Sequence, residues 1–190
     1  RQILDNLEGA TVAVLGLAYK PDTDDVRDLP AIDVIRLLDY EGATVRAHDP
    51  VANQNLAEIL PDVTYCSDPY EAVTGCDAVI IATEWPQFLK LDLEQLKARM
   101  RRPVLVDGRN LFDPDRVRGH GFTYLGIGRP DHLEDGGIIG ELKLIAVEVR
   151  HLGDIHPGYD GAPLSHRCRG SNAHGDPCLG AGNGNQEQRR

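Results

Sequence analysis

The sequence predicts an α/β fold whose sheet is doubly wound and mostly parallel. Two observations carry this prediction. Short apolar runs such as VAVL and AVIIA contain no polar residue, which is typical of strands buried on both faces of a parallel sheet. These runs alternate with amphipathic stretches at the interval expected for strand and helix units joined by right-handed crossovers.

The individual elements follow from apolar spacing and from turn residues. Ile32, Ile35 and Leu38 share one face of a predicted helix, and Asp68 before Pro69 is typical of a helix N-terminus. The predicted strands cover 12–15, 43–48, 63–66, 77–83, 103–107 and 122–126, and the predicted helices cover 31–40, 52–60, 69–73 and 91–100.

Composition divides the chain into four segments. Residues 1–8 are expected to be the end of a preceding helix or a linker, and residues 9–130 hold the α/β domain. Apolar residues at steps of four and three predict an amphipathic helix within 131–152. We expect disorder in residues 153–190, because this glycine-rich tail cannot bury enough apolar surface to offset the backbone entropy of folding.

The charge balance excludes several classes of function. With a formal net charge of -10, the chain is not expected to bind nucleic acid or an anionic membrane, since phosphate neutralisation needs clustered basic residues. No apolar run approaches the roughly 20 residues of a membrane span, and no secretory signal is recognisable, so a cytoplasmic protein is expected. Neither a G-x-S-x-G elbow nor a P-loop is present.

The cysteines indicate free thiols and no metal site. The four cysteines form no C-x-x-C pair, and Cys66 and Cys76 lie in or beside apolar runs, so buried thiols are expected there. The tail holds two closely spaced pairs of a histidine and a cysteine, residues of the zinc-ligand type, but their spacing matches no familiar finger, so no metal is expected. These four are His166, Cys168, His174 and Cys178.

The loop after the first strand is the predicted ligand site, because open α/β sheets bind ligands at the carboxyl edge. The dinucleotide signature G-x-G-x-x-G is absent, since Gly16 stands alone and Ala18 occupies the place of the second glycine. The sheet is therefore Rossmann-like without that fingerprint. Asp49, at the end of the second strand, could grip a ribose, but the following Pro50 favours a turn or a helix cap.

Five motifs, in order and in spacing, are similar to those of a known family. They are GLAYKPDTDDVRDLP, AHDP, ATEWPQF, VLVDGRNLFDP and GFTYLGIGRP, all within residues 1–130. Together they resemble the carboxy-terminal, UDP-binding domain of the UDP-glucose/GDP-mannose dehydrogenase family. Within that family, the TEW motif at 83–85 is most similar to the UDP-glucose 6-dehydrogenases.

The resemblance implies one part of an oxidoreductase. Family enzymes oxidise the C6 alcohol of a nucleotide sugar, as from UDP-glucose to UDP-glucuronate, in two NAD-dependent steps through a thiohemiacetal on a cysteine. This sequence has no match to the glycine-rich cysteine motif, the amino-terminal NAD domain or the central dimerising helix. We therefore expect no catalytic residue here and no turnover from this chain alone. The resemblance implies that NAD is held mainly by the missing domain and that the intact enzyme is a homo-oligomer.

The resemblance also assigns four binding residues. Tyr19 and Lys20 match the aromatic and lysine pair that lies against the UDP-sugar, where an ammonium suits a diphosphate oxygen. Arg109 matches an arginine that reaches the substrate site, from a neighbouring subunit in family dimers. Arg27 matches the arginine that reaches NAD across the cleft.

Three of these assignments have an alternative in which the residue does not contact a ligand. Lys20 could be a solvated loop cation, Arg27 could form an ion pair within its acidic loop, and Arg109 taken alone fits a structural role equally well. Trp85 is expected to pack at the edge of the cleft and is left out of the site. At the level of function, the alternative is a non-catalytic module that binds a nucleotide or nucleotide sugar through a degenerate Rossmann-like fold.

Overall fold

Six parallel strands form one sheet in the computed structural model, which describes residues 7–26 and 30–127. The strands are β1 (Thr11–Leu15), β2 (Thr44–His48), β3 (Thr64–Tyr65), β4 (Ala78–Ile81), β5 (Val104–Asp107) and β6 (Thr123–Gly126). Their order across the sheet is β3-β2-β1-β4-β5-β6, and every described pair is parallel. This is the Rossmann strand order, so the predicted fold class is confirmed.

The helices lie between the strands, as in a doubly wound sheet. They are α1 (Pro30–Tyr40), α2 (Asn53–Ile59), α3 (Pro69–Val73), α4 (Leu93–Arg99) and α5 (Pro114–Gly119), with a 3-10 turn at Phe88–Lys90. The sequence predicted the first four. It placed the start of α4 at Leu91, but the Asp92 carboxylate accepts hydrogen bonds from the backbone N–H groups of Glu94 and Gln95 and so caps the helix at Leu93.

Helix α5 was missed because it is short and buries little. Only six residues long, it has Val117 as its buried residue. Its start nevertheless carried a signal in the sequence, since Asp113 caps the N–H of Arg116 and Pro114 occupies the first turn.

The core is centred on the strands β1, β4 and β5. The residues Val12–Leu15 of β1 are buried, as is every residue of β4 and β5, which agrees with their apolar sequences. Cys66 and Cys76 are buried free thiols, as predicted. Burial raises the pKa of Cys76 to about 11 and also raises the pKa of Cys66. Among the described residues, no helix is long and apolar enough to cross a membrane.

Several predictions fall outside the described residues. These are residues 1–6 of the segment expected to be the end of a preceding helix or a linker, the role of Arg27, the amphipathic helix expected within 131–152, and the disorder expected in 153–190. The limits of the α/β domain at 9–130 stay a prediction.

Candidate functional site

The candidate site lies where the direction of strand addition reverses. From β1 the chain adds β2 and β3 on one side of the sheet, and then returns to add β4, β5 and β6 on the other side. The loops that follow β1 and β4 therefore leave two neighbouring strands in opposite directions of strand addition at the carboxyl edge, the part of an open α/β sheet that binds ligands. The charged loop after Gly16 and the TEW segment at 83–85, which follows β4, both lie at this edge.

Gly16 allows the two loops to approach closely. It has a positive φ of 91°, and a β-carbon there would lie 2.6 Å from both the backbone nitrogen and the Cβ of Thr83. The Thr83 hydroxyl in turn donates a 2.6 Å hydrogen bond to the carbonyl oxygen of Ala18. A glycine is thus required by both space and backbone conformation.

The buried Asp49 carboxylate holds the loop after β1 by hydrogen bonds. One carboxylate oxygen accepts hydrogen bonds from the backbone N–H groups of Leu17 at 2.7 Å and Ala18 at 3.1 Å, and from the indole N–H of Trp85 at 3.0 Å. The other oxygen accepts the N–H groups of the next turn, at Val51 and Ala52, both at 2.9 Å. Asp49 is only 2% exposed, and its hydrogen bonds hold the turn that follows β2. This agrees with the turn or helix cap that the sequence favoured over a ribose contact.

Trp85 belongs to the packing of this edge. It is buried at 5% exposure, and its indole N–H is engaged by Asp49. Its exclusion from the predicted ligand site agrees with this position.

Tyr19 and Lys20 lie on the solvent side of the same loop. The Tyr19 side chain is 61% exposed, and Lys20 is also exposed. The backbone N–H of Tyr19 donates to the Asp25 carbonyl oxygen at 3.1 Å, and the positive φ of 62° at Asp22 lets the chain fold back between them. A backbone hydrogen bond thus closes the loop, and the side chains of Tyr19 and Lys20 remain exposed to water.

Arg109 is placed by a second buried carboxylate. Asp107, at the end of β5, accepts hydrogen bonds from the N–H groups of Arg109 at 3.2 Å and Phe112 at 2.8 Å, and from the Tyr124 hydroxyl at 3.0 Å. Between them, the Gly108 N–H donates to the last carbonyl of β4, and a β-carbon at Gly108 would lie 2.7 Å from that oxygen. The turn therefore needs both the aspartate and the glycine of the DGRN motif.

The guanidinium of Arg109 pairs with Glu84. Its Nε donates to Glu84 Oε2 in a short ion pair between two partly exposed side chains. The hydrogen bond from Arg109 lowers the pKa of Glu84, and the reciprocal hydrogen bond raises the pKa of Arg109, with a small further rise from nearby Tyr19. Both partners are consequently charged at neutral pH.

Comparison with known protein families identifies the domain that carries this site. A model described as the UDP binding domain of the UDP-glucose/GDP-mannose dehydrogenase family matches residues 13–114. The chain belongs to this family. The match begins within β1 and ends at the first residue of α5, so β6 lies outside it. The family predicted from the five motifs is thereby confirmed.

Relatives within the family are named UDP-glucose 6-dehydrogenase. The enzyme of Rhizobium meliloti strain 1021 is 46% identical over 126 residues, which are 66% of this chain and 29% of that protein. That of Pseudomonas aeruginosa is 47% identical over 129 residues, covering 65% and 28%. The chain thus spans less than a third of the length of these relatives.

Solved structures in the family have the same fold. The UDP-glucose dehydrogenase of Pyrobaculum islandicum matches at 42% identity and a TM-score of 0.54, over 64% of this chain and 26% of that one. The NDP-N-acetyl-D-galactosaminuronic acid dehydrogenase of Methanosarcina mazei Go1 matches at 35% identity and a TM-score of 0.59, over 67% and 26%.

The structure describes three of the four residues that the sequence singled out. Tyr19 and Lys20 lie on the loop after β1 and Arg109 follows β5, so all three belong to the carboxyl edge of the sheet. Arg27 lies outside the described residues. Glu84 was missed, although its place directly after β4 predicts proximity to the loop that follows the neighbouring strand β5.

Within residues 7–26 and 30–127, no group of three or more His, Cys, Asp or Glu side chains is arranged to hold a metal ion.

Proposed function

We propose that this chain binds the UDP-sugar in an NAD-dependent UDP-glucose 6-dehydrogenase, with Tyr19, Lys20 and Arg109 as its ligand contacts. The observation that carries the proposal is the presence of two cations and an exposed aromatic ring at the reversal point of the sheet. In a chain with a net charge of -10, a diphosphate must be met by such a local group.

The three side chains suit different parts of the ligand. The Lys20 ammonium acts as a compact charge for a diphosphate oxygen, and the Arg109 guanidinium can offer two parallel N–H groups to a phosphate or to sugar hydroxyls. Tyr19 has a large exposed face that a bound nucleotide sugar would cover.

NAD does not fit the loop after β1. A dinucleotide site presents backbone N–H groups of the glycine loop to the pyrophosphate. Here the N–H groups of Leu17 and Ala18 are already donated to Asp49, and α1 begins only at Pro30. The proposed role of this chain is therefore to bind and orient the nucleotide sugar, while NAD and the oxidation belong to the remaining length of the relatives.

Calorimetric titration of the chain with UDP, UDP-glucose and NAD tests this division. We expect weak UDP and UDP-glucose binding and scarcely any NAD binding. Lys20→Ala should weaken UDP binding by roughly tenfold to a hundredfold, since a charge-assisted hydrogen bond contributes about 1.5–3 kcal/mol. Uridine, which lacks the diphosphate, should be insensitive to the same change.

Arg116→Ala is the matched control, because it removes one exposed positive charge from α5. It should leave UDP affinity within about twofold, as expected for a screened charge away from the ligand. Submicromolar NAD binding without UDP binding would overturn the proposed function.

A further inference from the structure

The ion pair between Glu84 and Arg109 occupies one side of the guanidinium only. Glu84 accepts the hydrogen bond from Nε, and within the described part of the chain this is the side-chain hydrogen bond that the Arg109 guanidinium makes. The two terminal nitrogens, which form the fork used for bidentate recognition, are left for a ligand. The pair is also partly open to solvent, with side-chain exposures of 37% for Arg109 and 41% for Glu84.

Both partners stand on anchored backbone. Glu84 lies between Thr83, whose hydroxyl is bonded to the β1 loop, and Trp85, whose indole is bonded to Asp49. Arg109 follows Gly108, and its own N–H is held by Asp107. Because the ends of β4 and β5 are further joined by the hydrogen bond from Gly108 to Ile81, the carboxylate and the guanidinium meet across a fixed separation.

We propose that Glu84 is a positioning residue for ligand binding, which holds Arg109 by Nε so that its terminal nitrogens meet the phosphate or sugar. This inference rests on the proposed function and adds a residue to it. Without Glu84, the long arginine side chain has to be ordered when the ligand binds, and ordering one such side chain costs affinity.

The sign of the effect separates this role from simple electrostatics. A carboxylate beside an anion site repels the ligand, so its removal alone should tighten UDP binding by about twofold for a screened charge. A Glu84 that competes with the ligand for Arg109 would give the same direction. Positioning gives the opposite direction, because the loss of a preordered side chain weakens binding by about three- to tenfold.

The experiment is a double-mutant cycle on the full chain, with UDP as the probe in calorimetry. We expect Glu84→Ala to weaken UDP binding by about three- to tenfold, and Glu84→Gln, which keeps a neutral acceptor for Nε, to weaken it less. In the Arg109→Gln background, Glu84→Ala should no longer weaken UDP binding, because the group it positions is gone, and the tightening of about twofold from the lost negative charge should remain. The Nε–H signal of Arg109 in ¹⁵N NMR should lose protection from exchange in Glu84→Ala.

Glu41→Gln is the control, since it removes the same charge from an exposed position at the amino edge of the sheet. It should leave UDP affinity unchanged. Unchanged or tighter binding by Glu84→Ala, in a chain whose UDP binding is weakened by Arg109→Gln, overturns the positioning role and leaves the proposed function intact. A parent chain without UDP binding overturns both.

Discussion

Buried carboxylates lie at both edges of the sheet, and two of them, Asp49 and Asp77, are stabilised by different partners. Asp49 follows β2 at the carboxyl edge and accepts hydrogen bonds from four backbone N–H groups and one indole N–H. Asp77 precedes β4 at the amino edge. It accepts from the N–H of Thr11 at 3.0 Å and from Arg101 at 2.7 Å, and the Nε of Arg102 lies 3.6 Å from its other oxygen.

The difference decides where cations remain for a ligand. At the amino edge, Arg101 and Arg102 are engaged by Asp77. At the carboxyl edge, neutral N–H dipoles stabilise Asp49, so Lys20 is not needed to neutralise that carboxylate. The same hydrogen bonds engage the backbone N–H groups of Leu17 and Ala18, on which the proposed preference of this loop for a UDP-sugar over NAD rests.

The largest effect is expected from removing the carboxyl-edge acceptor. Asp49→Ala leaves five N–H donors without their acceptor and should lower the free energy of unfolding by about 3–5 kcal/mol, as measured by urea denaturation. Asp49→Asn keeps one acceptor oxygen and should cost less. A loss below about 1 kcal/mol for Asp49→Ala would show that water can replace these contacts.

The contact between the two loops can be tested with a pair of glycines. Gly16→Ala should destabilise by about 2–4 kcal/mol, because it adds both backbone strain and a clash with Thr83. Gly75→Ala is the matched control, since its φ is also positive, at 75°, but no atom lies within 4 Å of its added β-carbon. It should lose about 1–2 kcal/mol from strain alone. Equal losses in urea denaturation would mean that the loops separate to accept the methyl group.

The amino-edge carboxylate should matter less. Asp77→Asn is expected to cost about 1–3 kcal/mol, which is less than the loss of a fully enclosed ion pair. Its arginine partners have side chains 57% and 28% exposed, so after the change both can turn towards water. If urea denaturation shows a larger loss for Asp77→Asn than for Asp49→Ala, the ion pairs and not the dipoles dominate the stability of the sheet edges.

The sheet was predictable because its signals are local. Unbroken apolar runs gave the central strands β1, β4 and β5, and the Asp68-Pro69 pair gave the start of α3, whose cap the structure shows. The strand β3 is only two residues long, so the sequence overestimated it at 63–66. Edge strands have few apolar neighbours, and their ends are therefore poorly marked by hydrophobicity.

The site was predictable only in part, because its contacts join distant segments. Sequence patterns placed Asp49 in a turn, but its bonds to Leu17 and Trp85 connect three loops far apart in the chain. Glu84 received no role of its own from the sequence. Its ion pair with Arg109 depends on the pairing of β4 with β5, which brings the two residues together. A search of the residues that follow neighbouring parallel strands would have found the pair.

The smallest effect concerns the thiol next to the amino-edge carboxylate. Burial raises the pKa of Cys76 from its ordinary 9.0 to about 11, with opposing contributions from Arg46 and, more weakly, Arg101, and a further rise from Asp77. Because the raised pKa favours the protonated thiol in the folded state, its contribution to stability is complete below pH 9 and declines as the pH rises to about 11. Cys76→Ala should remove this part of the alkaline loss in urea denaturation.

Asp77→Asn should lower the pKa of Cys76 slightly, since the contribution of Asp77 is larger than that of Arg101, whose opposing effect is weakened when it turns to solvent. The measurement is the ultraviolet absorbance of the thiolate against pH, taken as the difference between each chain and the same chain with Cys76→Ala. The titration profile of Cys76 should move to lower pH by less than about one unit in Asp77→Asn, a shift equivalent to less than about 1.4 kcal/mol. A profile that moves upward would mean that Arg101, and not Asp77, sets the charge felt at the amino edge.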